Sequence, residues 1–273
     1  KKKYLPDLCS GKKIGCFGLT EPNAGTDASA GQTIAVRDGD KYILNGQKCF
    51  ITNAPISDVF VIFAMTDKSK GNKGISAFIV EKEYPGISIG KVEDKMGING
   101  AQVGEIILED CPVPAENLLG KEGRGFGIAM KTLDGGRIGV AAQGLGLAEG
   151  AFDAAREYMK ERKQFGKQLY KFQGIAWRMA DMDLRIEQSR HLLYLAAMDK
   201  NDGRPYSVSA ARAKLSCTDT AMYVTTEAVQ LFGGYGYIKD YPVERMMRDA
   251  KITQIYEGTN EVQRMVISGS IFR

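Results

Sequence analysis

The sequence predicts an α+β protein: an antiparallel β-barrel or sandwich domain over residues 1–120, followed by an antiparallel helical bundle over 121–273. Three observations carry this. Short runs rich in β-branched and aromatic residues recur through the first part, with turn residues between them. A Pro-punctuated stretch, Cys111-Pro112-Val113-Pro114, marks a change of period. Beyond it, apolar residues recur at three- and four-residue steps over segments too long to be strands.

In chain order, strands are expected over 14–19, 33–36, 41–44, 59–63, 75–80 and 103–108. Turns are expected at Arg37-Asp38-Gly39-Asp40 and at Asn45-Gly46. No helical pattern intervenes, which favours antiparallel pairing. Residues 111–117 read as a linker. A long Gly/Ala-rich helix without Pro is expected over 125–162. A second follows, with Phe172, Ile175, Met179, Ile186 and Leu193 on one face, and Asp202-Gly203-Arg204-Pro205 breaks it. A third runs over 207–232. Two shorter helical stretches flank the segment Gln254-Ile255-Tyr256-Glu257-Gly258-Thr259-Asn260, with Asn260 as N-cap of the second. Long helices with short connections describe a bundle.

Composition excludes several chemistries. Five cysteines, at 9, 16, 49, 111 and 217, are odd in number and widely spaced, so neither a zinc site nor a disulfide framework is expected, and the compartment reads as reducing. His191 is the one histidine, which argues against Ser-His-Asp and Cys-His catalysis. No apolar run is long enough to span a bilayer. The formal net charge is +4, three of it in Lys1–Lys3, too mild for a nucleic-acid-binding face. Carboxylates, backbone dipoles or a cofactor must carry the chemistry.

Five constellations qualify. Glu257 stands at the break between two helices, next to Gly258, where a carboxylate can project from a bend as a general base. The loop from Leu19 through Thr20 and Thr26 to Asp27 carries hydroxyls and turn residues suited either to a planar polar ligand or to an ordinary turn. Arg162, at the end of the long helix, suits the helix dipole or a diphosphate. Gln230-Leu231-Phe232-Gly233-Gly234-Tyr235-Gly236 ends a helix, its glycines serving either as a cap or as bare backbone against a ligand. Further upstream, Asp134-Gly135-Gly136-Arg137 offers an ion pair or a ligand contact. Gly144-Leu145-Gly146 lies inside a helical pattern and reads as close helix packing, not as a dinucleotide fingerprint.

The ordered set Thr-Glu-Pro-x-x-Gly-Thr-Asp from Thr20, Ile-Thr-Asn from Ile51, Arg-Lys-Gln-Phe-Gly from Arg162, Gly-Gly-Tyr-Gly from Gly233, Tyr-Pro-Val-Glu-Arg from Tyr241 and Tyr-Glu-Gly-Thr from Tyr256 resembles the acyl-CoA dehydrogenase family over essentially the whole chain. The likeness is strongest to the bacterial short-chain, butyryl-CoA branch. It implies an FAD enzyme of fatty acid metabolism that oxidises a short-chain acyl-CoA to trans-2-enoyl-CoA. In that scheme Glu257 takes the α-proton and the β-hydrogen leaves as hydride to flavin N5. Electrons then pass to electron-transferring flavoprotein. The resemblance places Phe17, Leu19, Thr20 and Thr26 along the flavin ring, Thr26 also near substrate, and Phe50, Ile51 and Thr52 over the ring. Many relatives carry Trp where this chain has Phe50. It assigns Arg162, Phe165, Gln173, Gln230, Gly233 and Gly234 to the rest of FAD, some across a subunit boundary. Thr259, Asn260 and Glu261 complete the FAD site, while Asp134, Gly135, Gly136, Arg137 and Gly258 contact the acyl-CoA.

The resemblance further implies a homotetramer, in bacterial cytoplasm or, in a eukaryote, the mitochondrial matrix. In isovaleryl and long-chain relatives the base comes from the long helix just before Arg137. Gly136 stands there in this chain, leaving Glu257 as the matching base. Family members also begin with a helical domain that the 273 residues do not include, so an incomplete enzyme is expected of this chain alone. Two alternatives are an acyl-CoA oxidase using dioxygen and a non-enzymatic, flavin-containing DNA-binding relative.

Overall fold

A computed structural model describes residues 1–272. It divides into two compact units, one comprising residues 1–95 and 99–131, the other 96–98 and 132–273. The division thus falls inside the long helix, eleven residues beyond the break expected at 120.

The first unit is a seven-stranded sheet preceded by a short helix, α1 (Leu5–Cys9). Its strands are β1 (Gly15–Gly18), β2 (Ile34–Asp38), β3 (Lys41–Thr52), β4 (Val59–Met65), β5 (Ile75–Glu81), β6 (Ile87–Val92) and β7 (Val103–Pro114). The order is β1-β4-β2-β3-β7-β6, with β5 on the other edge of β4. The sheet is mixed, not wholly antiparallel: β1 and β2 lie parallel to β4. Some forty residues carry the chain from β1 to β4 by way of the β2–β3 hairpin, long enough for the crossover that a parallel pair needs. β4, Val-Phe-Val-Ile-Phe-Ala-Met, is buried along most of its length, as suits a strand with partners on both edges.

Two sequence expectations change here. Asn45-Gly46 is not a turn. β3 runs through it, with Gly46 at φ +152° at a register shift against β7. A Cβ on Gly46 would meet Thr33 Oγ1 at 2.5 Å, so the glycine admits the backbone of Thr33 instead of reversing the chain. The linker expected over 111–117 is in part strand, since β7 continues to Pro114 against β3. β6 pairs with β7 only as far as Leu108, and on the open edge beyond it a proline lacking its N–H is tolerated. β6 itself carried no signal distinctive enough to be expected.

The helices are α2 (Gly125–Glu161), α3 (Gln173–Asn201), α4 (Ser207–Phe232), α5 (Gly234–Tyr237), α6 (Val243–Thr253) and α7 (Asn260–Ile271), with a hairpin of β8 (Lys163–Gln164) and β9 (Lys167–Gln168) between α2 and α3. The helical unit's core draws Ala148, Ala155, Met182, Leu193, Cys217 and Val224 from α2, α3 and α4. A Cβ on Gly144 would stand 3.1 Å from Cys217 O, which accounts for a small residue there. No helix among the described residues is long and apolar enough to cross a membrane.

Candidate functional site

Glu257 sits in the turn between α6 and α7 at φ +57°, followed by Gly258 at φ +88°. A left-handed residue with a side chain costs on the order of 1–3 kcal/mol and persists only where its surroundings impose it. Three side chains do so through the carbonyls. Arg137 Nε donates to Glu257 O at 3.4 Å, Gln263 Nε2 to Gly258 O at 2.8 Å, and Lys214 Nζ to Gly258 O at 2.9 Å. Asn260 N–H closes the turn onto Gln254 O at 3.0 Å, and Tyr256 OH donates to Gln143 Oε1.

The carboxyl of Glu257 lies against α2. A Cβ added to Gly136 would stand 2.4 Å from Glu257 Oε2, so the missing side chain is what makes room for it. Burial pushes the Glu257 carboxyl above its ordinary value, and the charges of Arg137 and Lys214 pull partly back. Arg137 is 6% exposed and ion-paired with Asp134 at 2.8 Å. Asp134 Oδ1 also accepts from Ser207 Oγ at 3.1 Å. The ion pair, one of the two roles the sequence leaves open for Asp134, is formed. Gly135 lies near Lys200, whose Nζ would stand 3.2 Å from an added Cβ.

Thr259, not Asn260, is the N-cap of α7, its Oγ1 accepting from Val262 N–H at 3.4 Å. Asn260 is instead buried. Its Oδ1 accepts from Lys214 Nζ at 2.8 Å and its Nδ2 donates to Asp219 at 2.7 Å, so the side chain is fully engaged inside the protein. Thr259 and Glu261 line a polar cleft of about 260 Å³ together with Asp219, Lys251, Gln254 and Arg264.

A second cluster forms at the end of α2 and the end of α4. The Arg162 guanidinium lies over the Tyr235 ring at 5.5 Å. Gly233, at φ +63°, ends α4, and an added Cβ on Gly233 or Gly234 would have no heavy atom within 4 Å. Gly233 therefore caps the helix, and the backbone of both glycines is uncovered. Gln230 and Gln173 are exposed, on the last turn of α4 and the first of α3. Phe165 and Gly166, both at positive φ, form the two-residue turn of the β8–β9 hairpin, and Phe165 is 93% exposed at its tip.

In the sheet unit, the loop after β1 and the end of β3 are brought together. Cys49 N–H donates to Thr20 O at 3.0 Å and Lys48 Nζ to Leu19 O at 3.1 Å. Phe50, at φ +56° in a bulge of β3, is 66% exposed, and Thr52 is exposed two residues on. Thr26 is exposed on the loop. Ile51 points into the sheet's core, and Phe17 and Leu19 pack their side chains on Phe63 and its neighbours. These three offer a ligand mainly their backbone.

The loop is clamped by a pair the sequence did not single out. Glu21 and Lys48, both buried, form an ion pair at 2.6 Å, and Glu21 also accepts from the N–H groups of Gln32 and Thr33. Burial opposes ionisation of Glu21, but Lys48 and these donors outweigh it and hold the carboxyl below its ordinary value. Lys214 and Gln263 escaped notice as site residues too. Lys214 had a readable signal: it shares the buried face of α4 with Ala210, Cys217, Thr218 and Ala221, a position where an apolar residue is the rule.

Comparison with known proteins supplies the family. Residues 16–111 match the acyl-CoA dehydrogenase middle domain and residues 123–272 the acyl-CoA dehydrogenase C-terminal domain. The chain is 68% identical over its whole length to the short-chain specific acyl-CoA dehydrogenase of Clostridium acetobutylicum, spanning 72% of that protein. The structure of butyryl-CoA dehydrogenase from Megasphaera elsdenii superposes on all of it with a TM-score of 0.98 at 61% identity, the chain covering 71% of that structure. A solved chain described as the electron transferring flavoprotein of Acidaminococcus fermentans matches all of it with the same TM-score at 63% identity, 72% of that chain being covered. With both of its units matched, the chain belongs to the acyl-CoA dehydrogenase family.

Proposed function

We propose that this oxidoreductase dehydrogenates a short-chain acyl-CoA, of which butyryl-CoA is the model, with Glu257 as the base that takes the α-proton. The supporting observation is the turn itself. A carboxyl is held at positive φ by three side chains, raised toward working pH by burial, and accommodated by a glycine directly opposite. A base poised near the operating pH transfers protons most effectively. The N–H of Glu257 is the donor we assign to the thioester carbonyl, where it favours the enolate-like charge as it develops. Arg137 and Asp134, already paired, set the wall past which the CoA portion enters.

FAD is the cofactor, and the residues fit it. The half-buried hydroxyl of Thr20, the exposed hydroxyls of Thr26 and Thr52 and the bulge backbone at Phe50 suit a planar polar ring. Arg162, Gln173, Gln230, Phe165 and the bare glycines 233 and 234 suit a diphosphate and adenosine. When bound, FAD accepts the β-hydrogen as a hydride. Thr259 and Glu261 border the polar cleft on which its remaining contacts would fall.

Electron-transferring flavoprotein is the acceptor we propose, on the likeness to the Acidaminococcus chain. A homotetramer is supported by Trp177, Leu184, Tyr194 and Met198, large apolar residues exposed along α3. The localisation we propose is cytoplasmic, since the curated relative and both solved neighbours are bacterial.

The test is anaerobic addition of butyryl-CoA to purified protein, followed at the flavin absorbance. Bleaching is expected. Glu257→Gln should retain the yellow chromophore and lose roughly 10²–10⁴-fold in rate. Near-normal bleaching by that variant would remove Glu257 from the role. Peroxide release during aerobic turnover would mark an oxidase instead.

A further inference from the structure

Lys214 lies in the middle of α4, fully buried, among alanines and threonines that face the helical core. Its ammonium has two partners at hydrogen-bond distance, Gly258 O at 2.9 Å and Asn260 Oδ1 at 2.8 Å. Both are neutral oxygens. A buried cation is expensive unless paired with an opposite charge, and here the attracting carboxylates Asp219, Glu261 and Glu257 are not bonded to it.

The other charged and titratable groups around the turn are accounted for. On α2, Arg137 is paired with Asp134. Asp219 of α4 is taken by Asn260, Gln254 and Arg264. Tyr256, in the turn, donates to Gln143. Lys200 of α3 lies beside Gly135, Lys251 of α6 is bonded to Gln254, and Glu261 of α7 faces the polar cleft. Lys214 is bonded to the turn itself, and its charge acts on Asp219, Glu261 and Glu257 around it.

We infer that Lys214 is a positioning residue for Glu257: its ammonium anchors the Gly258 carbonyl, fixing the left-handed turn, and its positive charge favours the ionised, proton-accepting form of the Glu257 carboxyl. The inference rests on the reading of Glu257 as the base. Two further features agree with it. Burial and the neighbouring Arg137 push Lys214 down to about 8, and Lys214 is among the charges that lower Glu257. The same ammonium ties Asn260, the first residue of α7, to the turn, so one side chain fixes both Glu257's exit and the start of the next helix.

The experiment compares Lys214→Met and Lys214→Arg in the full chain. In Lys214→Met the acid limb of the pH–rate profile for butyryl-CoA should move up by about 1 pH unit. kcat should fall more than KM rises, because the base and its N–H are misplaced while the binding surface remains. Lys214→Arg should restore the acid limb. A Lys214→Met enzyme slower at every pH with its acid limb unmoved would show a merely structural residue and overturn the inference.

If Lys214→Met does not fold, the wild type still decides. With 13C-carboxyl-labelled glutamate, the Glu257 resonance (assigned by its loss in Glu257→Gln) should show its own titration and a second inflection near pH 8 as Lys214 loses its proton. A single inflection would overturn the inference. Failure of the base assignment is separately visible, as full turnover in Glu257→Gln.

Discussion

Two buried lysines do different work in the two units. Lys48 in the sheet lies 2.6 Å from the Glu21 carboxylate, which has two backbone N–H donors of its own. Lys214 in the helices lies against a carbonyl and an amide oxygen. The first charge is neutralised where it stands, so Lys48 and Glu21 together act as a clamp on the loop 19–33 and export no field. The second is only solvated, and its field reaches the carboxylates around the turn, Glu257 among them. The partner, more than the burial, decides whether a buried charge fastens or tunes.

The comparison breaks most severely at Lys48. Lys48→Met leaves Glu21 buried and unpaired and should cost about 3–5 kcal/mol, read as a drop in the urea unfolding midpoint. Adding Glu21→Gln should recover much of that loss, since an uncharged pair carries no such penalty. No recovery in the double variant would mean that the clamp works through packing. At Lys214 the same neutralisation should show in the pH profile more than in stability.

Gly136→Ala probes the helical turn from the opposite side. The new Cβ would stand 2.4 Å from Glu257 Oε2, the mobile end of a side chain, so the carboxyl must swing away. A misplacement of that size costs on the order of 10²-fold in rate. Ala is favoured over Gly in a helix by about 1 kcal/mol, so the melting temperature should hold or rise while kcat falls. Unchanged kcat would count against the turn as the site of proton transfer.

The two carboxyls should also respond oppositely to pH. Folded Glu21 ionises below its ordinary 4.5, so its stabilisation is present above that value and lost as pH falls through the folded one. Folded Glu257 ionises above 4.5, so its contribution is full below that value and lost as pH rises through the folded one, the interval over which base activity appears. Unfolding curves of Glu21→Gln and Glu257→Gln against pH would show the opposite slopes.

The smallest effect is expected at Phe165. Asn accepts the positive φ of the hairpin turn more readily, so Phe165→Asn should stabilise the chain by up to about 1 kcal/mol while weakening FAD retention, measured by flavin released on dilution.

The spans of α2, α3 and α4 were legible almost to the residue. Pro205 and the Gly/Ala-rich stretch free of proline are local signals, and helices are held by local hydrogen bonds. Glu257 was legible because it sits beside Gly258 between two periodic segments. The sheet was harder to read: the continuation of β3 through Gly46 depends on Thr33 arriving just ahead of β2, and that of β7 through Pro112 on an edge left open. No window of neighbouring residues contains either fact.

The linear order of amino acids thus determined the two-part architecture, the helix boundaries and the acidic residue at the bend, all set by periodicity and backbone preference within a few turns of chain. Tertiary structure alone decided that Lys48 meets Glu21, that Lys214 meets Gly258 and that Gly136 faces Glu257. Those contacts join residues 27, 44 and 121 positions apart. The energies that select them, burial of charge and close packing, are defined only once the chain has folded.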